Sequence, residues 1–168
     1  GSATNDGGVG MAQALGVRFI NERGKEITER GAGGMLDKIA SIDVKGLNLL
    51  VKKIKIIVAS DVNNPLCGKT GASYVFGPQK GATPAMVKIL DANLKHLGKI
   101  IKADLKKDVV NLKGAGAAGG LGAGLVAFSK ARMKSGIDII LEATNIERHL
   151  KGADLVIIPT ANTVGEPL

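Results

Sequence analysis

Tryptophan is absent from this chain, and its aromatic residues are three Phe and one Tyr. So few flat rings exclude base stacking as a mode of ligand binding. A single cysteine, Cys67, excludes an intramolecular disulfide and fits a reducing compartment, with a small buried side chain as its expected role. No apolar run approaches the ~18 residues of a membrane-crossing helix, and no signal-peptide pattern opens the sequence. These absences predict a soluble, cytoplasmic protein. Histidine is scarce too. His96 lies just off a helical apolar stripe and is expected at the surface or its boundary, and His149 has no ligand partner nearby and is expected to be structural.

Glycine is the abundant residue, with 24 in 168, about twice the usual ~7%, and it gathers in patterned loops. The net charge is +8, from 23 Lys and Arg against 15 Asp and Glu. Two readings of that excess stay open: a solvated basic face, or attraction of anionic substrates such as nucleotides and carboxylates. Neither a basic helix nor an aromatic platform for nucleic acid is present. The length fits one domain or a large piece of a bigger one, and 45% hydrophobic residues suffice for a core.

Apolar strands alternate with amphipathic helices, which predicts an α/β fold in which a layered sheet is flanked by helices. Helices are expected at 7–16, closed by Gly16, then at 33–42, from Thr83, over 120–136 and over 145–152. The one from Thr83 is the clearest. Thr is an N-cap, Pro84 suits the first helical position, and Val87, Leu90, Leu94, Leu97 and Ile101 draw one stripe. Strands are expected at 17–21, 53–60, 137–143 and 154–158, with a turn centred on Gly24. The Ile-Ile-Val end of 53–60 predicts burial on both faces, and a mostly buried sheet should include 54–59, 137–142 and 154–158.

Four stretches bear on chemistry. "KGAGAAGGLGAG" (113–124) satisfies G-x-G-x-x-G at Gly114, Gly116 and Gly119. A dinucleotide fold would need an acid closing a strand about 20 residues on, whereas Asp138 opens its predicted strand. "CGKTGA" (67–72) resembles a P-loop, but Asn63 stands where that motif needs glycine, and the following "SYVFGP" reads as extended. "GSATNDGG" (1–8) sets Ser2, Thr4, Asn5 and Asp6 between glycines before a helix. It is either an anion nest, with Asp6 available to a metal or a proton, or an ordinary helix cap. "SDVNNPLCGKTGASYVFGPQKGAT" (60–83) follows the end of a strand, where open α/β sheets place ligands. Asp61, Asn64, Gln79 and Lys80 there are groups of the kind phosphoryl transfer uses, and the alternative is a long surface loop.

"GSATNDGG", "ASDVNNPLCGKTGASYVFGPQKGAT" and "GAGAAGGLGAG", in this order and at these spacings, resemble the bacterial type-1 glycerate kinase family from residue 1 to about 157. The resemblance implies transfer of the γ-phosphoryl group of ATP to D-glycerate, most often giving 2-phosphoglycerate, with Mg²⁺. Family members are more than twice this length, with two α/β domains, one inserted in the other. The sequence begins inside the family's first motif, and "PTANTVGEPL" after Ile158 departs from the family's Gly-Glu-Gly-Arg-x-Asp segment. The expectation is an inserted-type domain over 1–158 with a non-matching tail at 159–168, either separated from a flavodoxin-like kinase domain or part of a kinase with segments missing. By position, Ser2, Thr4, Asn5 and Asp6 fall in the family's glycine-rich cleft loop. Asp61, Asn64, Gln79 and Lys80 fall in its D-V-x-N-P-L and G-P-Q-K-G motifs. The roles that follow give Asp61 the glycerate hydroxyl or Mg²⁺ (Asp6 being the other metal candidate) and Lys80 the charge on the transferred phosphoryl group. Asp61 and Lys80 should then approach one cleft. Gly114, Gly116 and Gly119 would let backbone approach a ligand or another domain. A chain lacking the partner domain is expected to be inactive, at most binding anions.

Overall fold

A computed structural model describes residues 2–155. The chain divides into two units, Gly1–Gly136 and Ile137–Leu168. The first holds the core. It opens with α1 (Val9–Ala14), stopped at Gly16, whose φ of 92° no β-carbon favours and whose N–H returns to Gln13 O. Next comes β1 (Arg18–Ile20), paired antiparallel with β2 (Ser41–Asp43) in the register Phe19↔Ile42. The turn centred on Gly24 is present, with φ 71°. α2 (Leu49–Lys53), capped by Asn48, was not expected from the sequence. After it, β3 (Ile57–Ala59) pairs in parallel with β4 (Arg132–Lys134). A parallel pair needs a long crossover, and here it carries α3 (Ala72–Phe76), α4 (Pro84–Leu105) and α5 (Ala117–Ser129).

α4 begins where the sequence places it. Thr83 accepts a hydrogen bond from the Met86 N–H at 3.3 Å, and Pro84 occupies the first turn. Val87, Leu94, Leu97 and Ile101 are buried and Leu90 is half-buried. Phe19 from β1 meets Phe128 from α5 edge to face, ring centroids 5.8 Å apart, which ties the first sheet to the glycine helix. His96 sits at the boundary of the core, a ring nitrogen 2.7 Å from Ile39 O. Cys67 is half-buried rather than buried, and burial, with Asp91 nearby, pushes its thiol pKa up. Thr83→Ala should cost about 1 kcal/mol, the usual worth of an N-cap. Urea unfolding should show the midpoint falling at constant slope.

The chain is α/β, but the described residues hold two separate two-stranded sheets in place of the layered sheet expected. β3 is exposed at Ile57 and half-buried at Val58, so it is not the strand buried on both faces that its Ile-Ile-Val end predicts. Residues 33–42 form a 3-10 turn (Gly33–Lys38) followed by β2, since Gly33 and Gly34 lower helical preference. The helix expected over 120–136 stops at Ser129, where Lys130 turns left-handed at φ 57°. The "SYVF" of "SYVFGP" is helical, in α3, which removes one of the two arguments against a P-loop; Asn63 still stands where its glycine would be.

In the second unit, residues 137–143 are not a strand. They lie in α6 (Gly136–Thr144), where Ile137, Ile140 and Leu141 fall at helical spacing and outweigh the β-branched run that suggests a strand. α7 (Ile146–Leu150) follows as expected, with His149 exposed. Asp154 and Leu155 are in neither helix nor strand, and 156–158 lie outside the described residues. No described helix is long and apolar enough to cross a membrane.

Candidate functional site

The glycine-rich loops do their work on one another. Gly119 has φ 72°, and a β-carbon on it would stand 2.0 Å from Thr4 O. Its carbonyl accepts the Gly7 N–H at 3.0 Å. Segment 2–8 thus lies directly on the start of α5, main chain against main chain. Gly116 is packed as closely: its N–H donates to Asn64 O at 3.0 Å, and a β-carbon there would meet Pro65 O at 2.3 Å. Gly114 lies against Val62 O and Ser60 in the same way. Ala118, Gly119 and Gly120 are all left-handed, so α5 starts through a kink, and Ala118 holds φ 53° despite its methyl group.

Asp6 is buried, and its carboxylate accepts the N–H groups of Gly8 at 3.0 Å and Gly10 at 2.9 Å. With Gly7 bonded to Gly119 and Val9 to Asp6 O, the amides of residues 7–10 are all occupied. The helix start at residues 7–10 therefore keeps no free amide for an anion. In the "CGKTG" loop, Asp91 takes the Gly68 N–H at 2.7 Å.

The cation is what remains open. Lys80, at the end of a 3-10 turn (Pro78–Lys80), donates from Nζ to Ser2 Oγ at 3.0 Å and Thr4 O at 2.6 Å. An ammonium has three donors, so one N–H has no partner among the described residues. Partial burial lowers its pKa below the ordinary lysine value of 10.5, and Asp6 partly offsets the shift. Lys80 lines a cleft of about 740 Å³ together with Ser2, Ser60, Val62, Gln79 and Ala118. On its other side it lines a cavity of about 300 Å³ with Thr4, Asn5 and Asp6.

The sequence candidates therefore separate. Ser2, Thr4, Asn5, Asp6, Gln79 and Lys80 are brought together around one ammonium. Asn64 turns its amide to Thr70 O at 2.8 Å. Asp61 is exposed between the cleft-lining Ser60 and Val62, and its Oδ1 accepts the Gly136 N–H at 2.8 Å. Sequence reasoning missed Ser73, fully buried, whose Oγ accepts from Asn5 Nδ2 at 2.9 Å. It also missed Asn93, which donates to Gly33 O at 2.7 Å, and Gln13, which holds segment 27–31 through three hydrogen bonds. A polar residue inside the apolar stripe of α4 was the available signal for Asn93.

Fold and cleft together define an α/β domain whose site is walled by glycine-rich main chain and carries a single partly buried lysine. The model of the glycerate kinase family matches residues 1–162, and the chain belongs to that family. Among curated relatives, a glycerate kinase of Bacillus cereus is 54% identical over 94% of this chain and 41% of its own length. The glycerate 2-kinase of Escherichia coli is 52% identical over the same shares. A crystal structure assigned to glycerate kinase 2 of Salmonella typhimurium LT2 superposes with a TM-score of 0.85 at 48% identity, over 99% of this chain and 45% of that one. The chain thus spans less than half the length of these relatives.

Proposed function

We propose that this chain forms one wall of a glycerate kinase site that transfers the γ-phosphoryl group of ATP to D-glycerate, giving 2-phosphoglycerate. The observation that carries it is Lys80: a partly desolvated ammonium, tied to the cleft loop by two hydrogen bonds and keeping a donor for a ligand. Charge beside a transferring phosphoryl group is the main thing a protein contributes to this chemistry. The name of the Escherichia coli relative, a glycerate 2-kinase, supports the regiochemistry.

Bound ATP supplies the phosphoryl group and Mg²⁺ offsets its charge. Asp6 suits a metal poorly, being buried with both oxygens on backbone amides. Exposed Asp61 suits it better, since Mg²⁺ keeps several waters and needs only one or two carboxylates. Among the described residues no cluster of three or more His, Cys, Asp or Glu could hold an ion by itself. Lys80 would neutralise the transferred group, and Asp61, between the cleft-lining Ser60 and Val62, would hold Mg²⁺ through water. Ser2, Gln79 and Asn64 belong to the surrounding binding surface. Reducing cytoplasm is the proposed place of action, on the single cysteine.

The chain spans less than half of its relatives' length, which favours a second reading for these 168 residues taken by themselves, as a folded domain that binds anions without turnover. Half a cleft loses the positioning on which the rate depends. The test is a coupled ADP-release assay with D-glycerate and Mg²⁺ on two samples. One is the 168-residue chain; the other is a hybrid in which residues 1–158 replace the matching segment of the Escherichia coli kinase. Turnover of about 1 s⁻¹ or more is expected only in the hybrid. An inactive but folded hybrid would sink the kinase reading, and an active 168-residue chain would sink the second reading.

A further inference from the structure

We propose that the two cavities meeting at Lys80 divide the substrates between them: the smaller takes the three-carbon hydroxy acid, the larger the phosphates of the nucleotide. This assignment rests on the kinase reading above. In-line transfer needs two adjoining subsites with a cation at the boundary, and Lys80 is the described charged side chain common to both walls besides the two cavities' separate linings.

The walls differ in chemistry. The larger cleft, about 740 Å³, offers the Ser2 hydroxyl and the Gln79 amide, groups that donate to phosphate oxygens, while the Ser60 hydroxyl is buried behind the wall without a hydrogen-bond partner among the described residues. The smaller, about 300 Å³, is bounded by Met86 and Leu90 as well as Asn5. It lies at the lower end of the range for small-molecule sites, and its apolar side suits a short carbon skeleton, while a polyphosphate would lose hydration against that side with Lys80 as the sole cation among the described residues lining the cavity.

Asn5 sharpens the assignment. Its Nδ2 is fixed on Ser73 Oγ, and its Oδ1 is buried with no hydrogen-bond partner. A buried acceptor without a donor is rare and costly. Ionised phosphate oxygens are acceptors too and are repelled there, whereas the alcohol of a hydroxy acid brings an O–H donor. The oxygen is buried, so a ligand pairs with it only if the loop that carries it shifts, and Lys80 tethers the neighbouring Ser2 and Thr4.

The test uses amide NMR spectra of the 168-residue chain, titrated separately with D-glycerate and with inorganic tripolyphosphate. Glycerate is expected to move the signals of Gly33, Gly77 and Ala82, tripolyphosphate those of Ser60, Val62 and Ala118, and both that of Lys80. Ala82→Leu should weaken glycerate by about tenfold and spare tripolyphosphate, and Ala117→Leu should do the reverse. Propionate, which lacks both hydroxyls, should bind about tenfold more weakly than glycerate, and Asn5→Ala should bring that ratio close to one. Overlapping or exchanged shift maps, no shifts at all, or a ratio unchanged by Asn5→Ala would each overturn the assignment. Overlapping maps beside an active hybrid overturn the subsites alone; separate maps beside an inactive hybrid overturn the kinase reading alone.

Discussion

Lys80→Met in the hybrid kinase is expected to lower kcat about a thousandfold while leaving the fold intact. Removing one preorganised donor from a developing charge costs roughly 10²–10³ in rate, and Lys80 brings a full charge in a partly desolvated place. Its pKa is lowered in the fold, so the sign of the pH effect follows directly. The ammonium is lost at lower pH than an ordinary lysine's, and activity falls as pH rises through that value, below 10.5. Lys80→Arg, which stays charged, should carry whatever activity it keeps to higher pH. Stability runs the other way. A depressed lysine pKa means that the folded state binds the proton less tightly than the unfolded one, so the charge opposes folding at neutral pH and ceases to do so as pH rises towards the unfolded pKa. Lys80→Met should therefore change stability by less than about 1 kcal/mol. A kcat within threefold of the parent, or an alkaline limb that does not move in Lys80→Arg, would remove Lys80 from the chemistry.

Gly119→Ala should be the most damaging single methyl in the glycine run, at about 3 kcal/mol or more. Two effects combine. An alanine at φ 72° carries about 1–2 kcal/mol of left-handed strain, and its β-carbon would lie 2.0 Å from Thr4 O, a backbone atom that cannot rotate away. Segment 2–8 must lift, and the Gly7–Gly119 hydrogen bond goes with it. Gly24→Ala is the matched control, because Gly24 has φ 71° and nothing within 4 Å of its would-be β-carbon. It should show the strain alone. Thermal unfolding of both variants separates the contributions; equal losses of Tm would mean that the contact between segment 2–8 and α5 has no energetic weight.

α1, β1, α4 and α7 were legible because local chemistry decides them: Gly16 stops α1, Thr83 and Pro84 start α4, and the Val87-to-Ile101 stripe faces the core. The layered sheet was not, because Ile-rich segments satisfy both the strand and the helix pattern. At 57–59 the strand won, and at 137–141 the spacing of Ile137, Ile140 and Leu141 placed the segment in a helix. The glycine run was recognisable as a place of close approach, but what it approaches depends on long-range packing that no spacing rule encodes. The same holds for the buried partners Ser73 and Asn93, which look like ordinary polar residues until their positions are known. Among the candidate site residues, those from segment 2–6 and the end of the G-P-Q-K-G motif meet at Lys80, while Asp61 turns its carboxylate to Gly136.

Segment 2–8 also sets an order of events during folding. Its partners, Ser73, Lys80 and Gly119, come much later in the chain. Contacts so distant in sequence form only after loop closure has been compensated by other packing. The cleft has no floor until segment 2–8 arrives at α5. During synthesis segment 2–8 must wait for the glycines past position 113 before it finds its place. The binding surface is thus set by contacts distant in sequence, and a nascent chain stopped before Gly119 would still have no site.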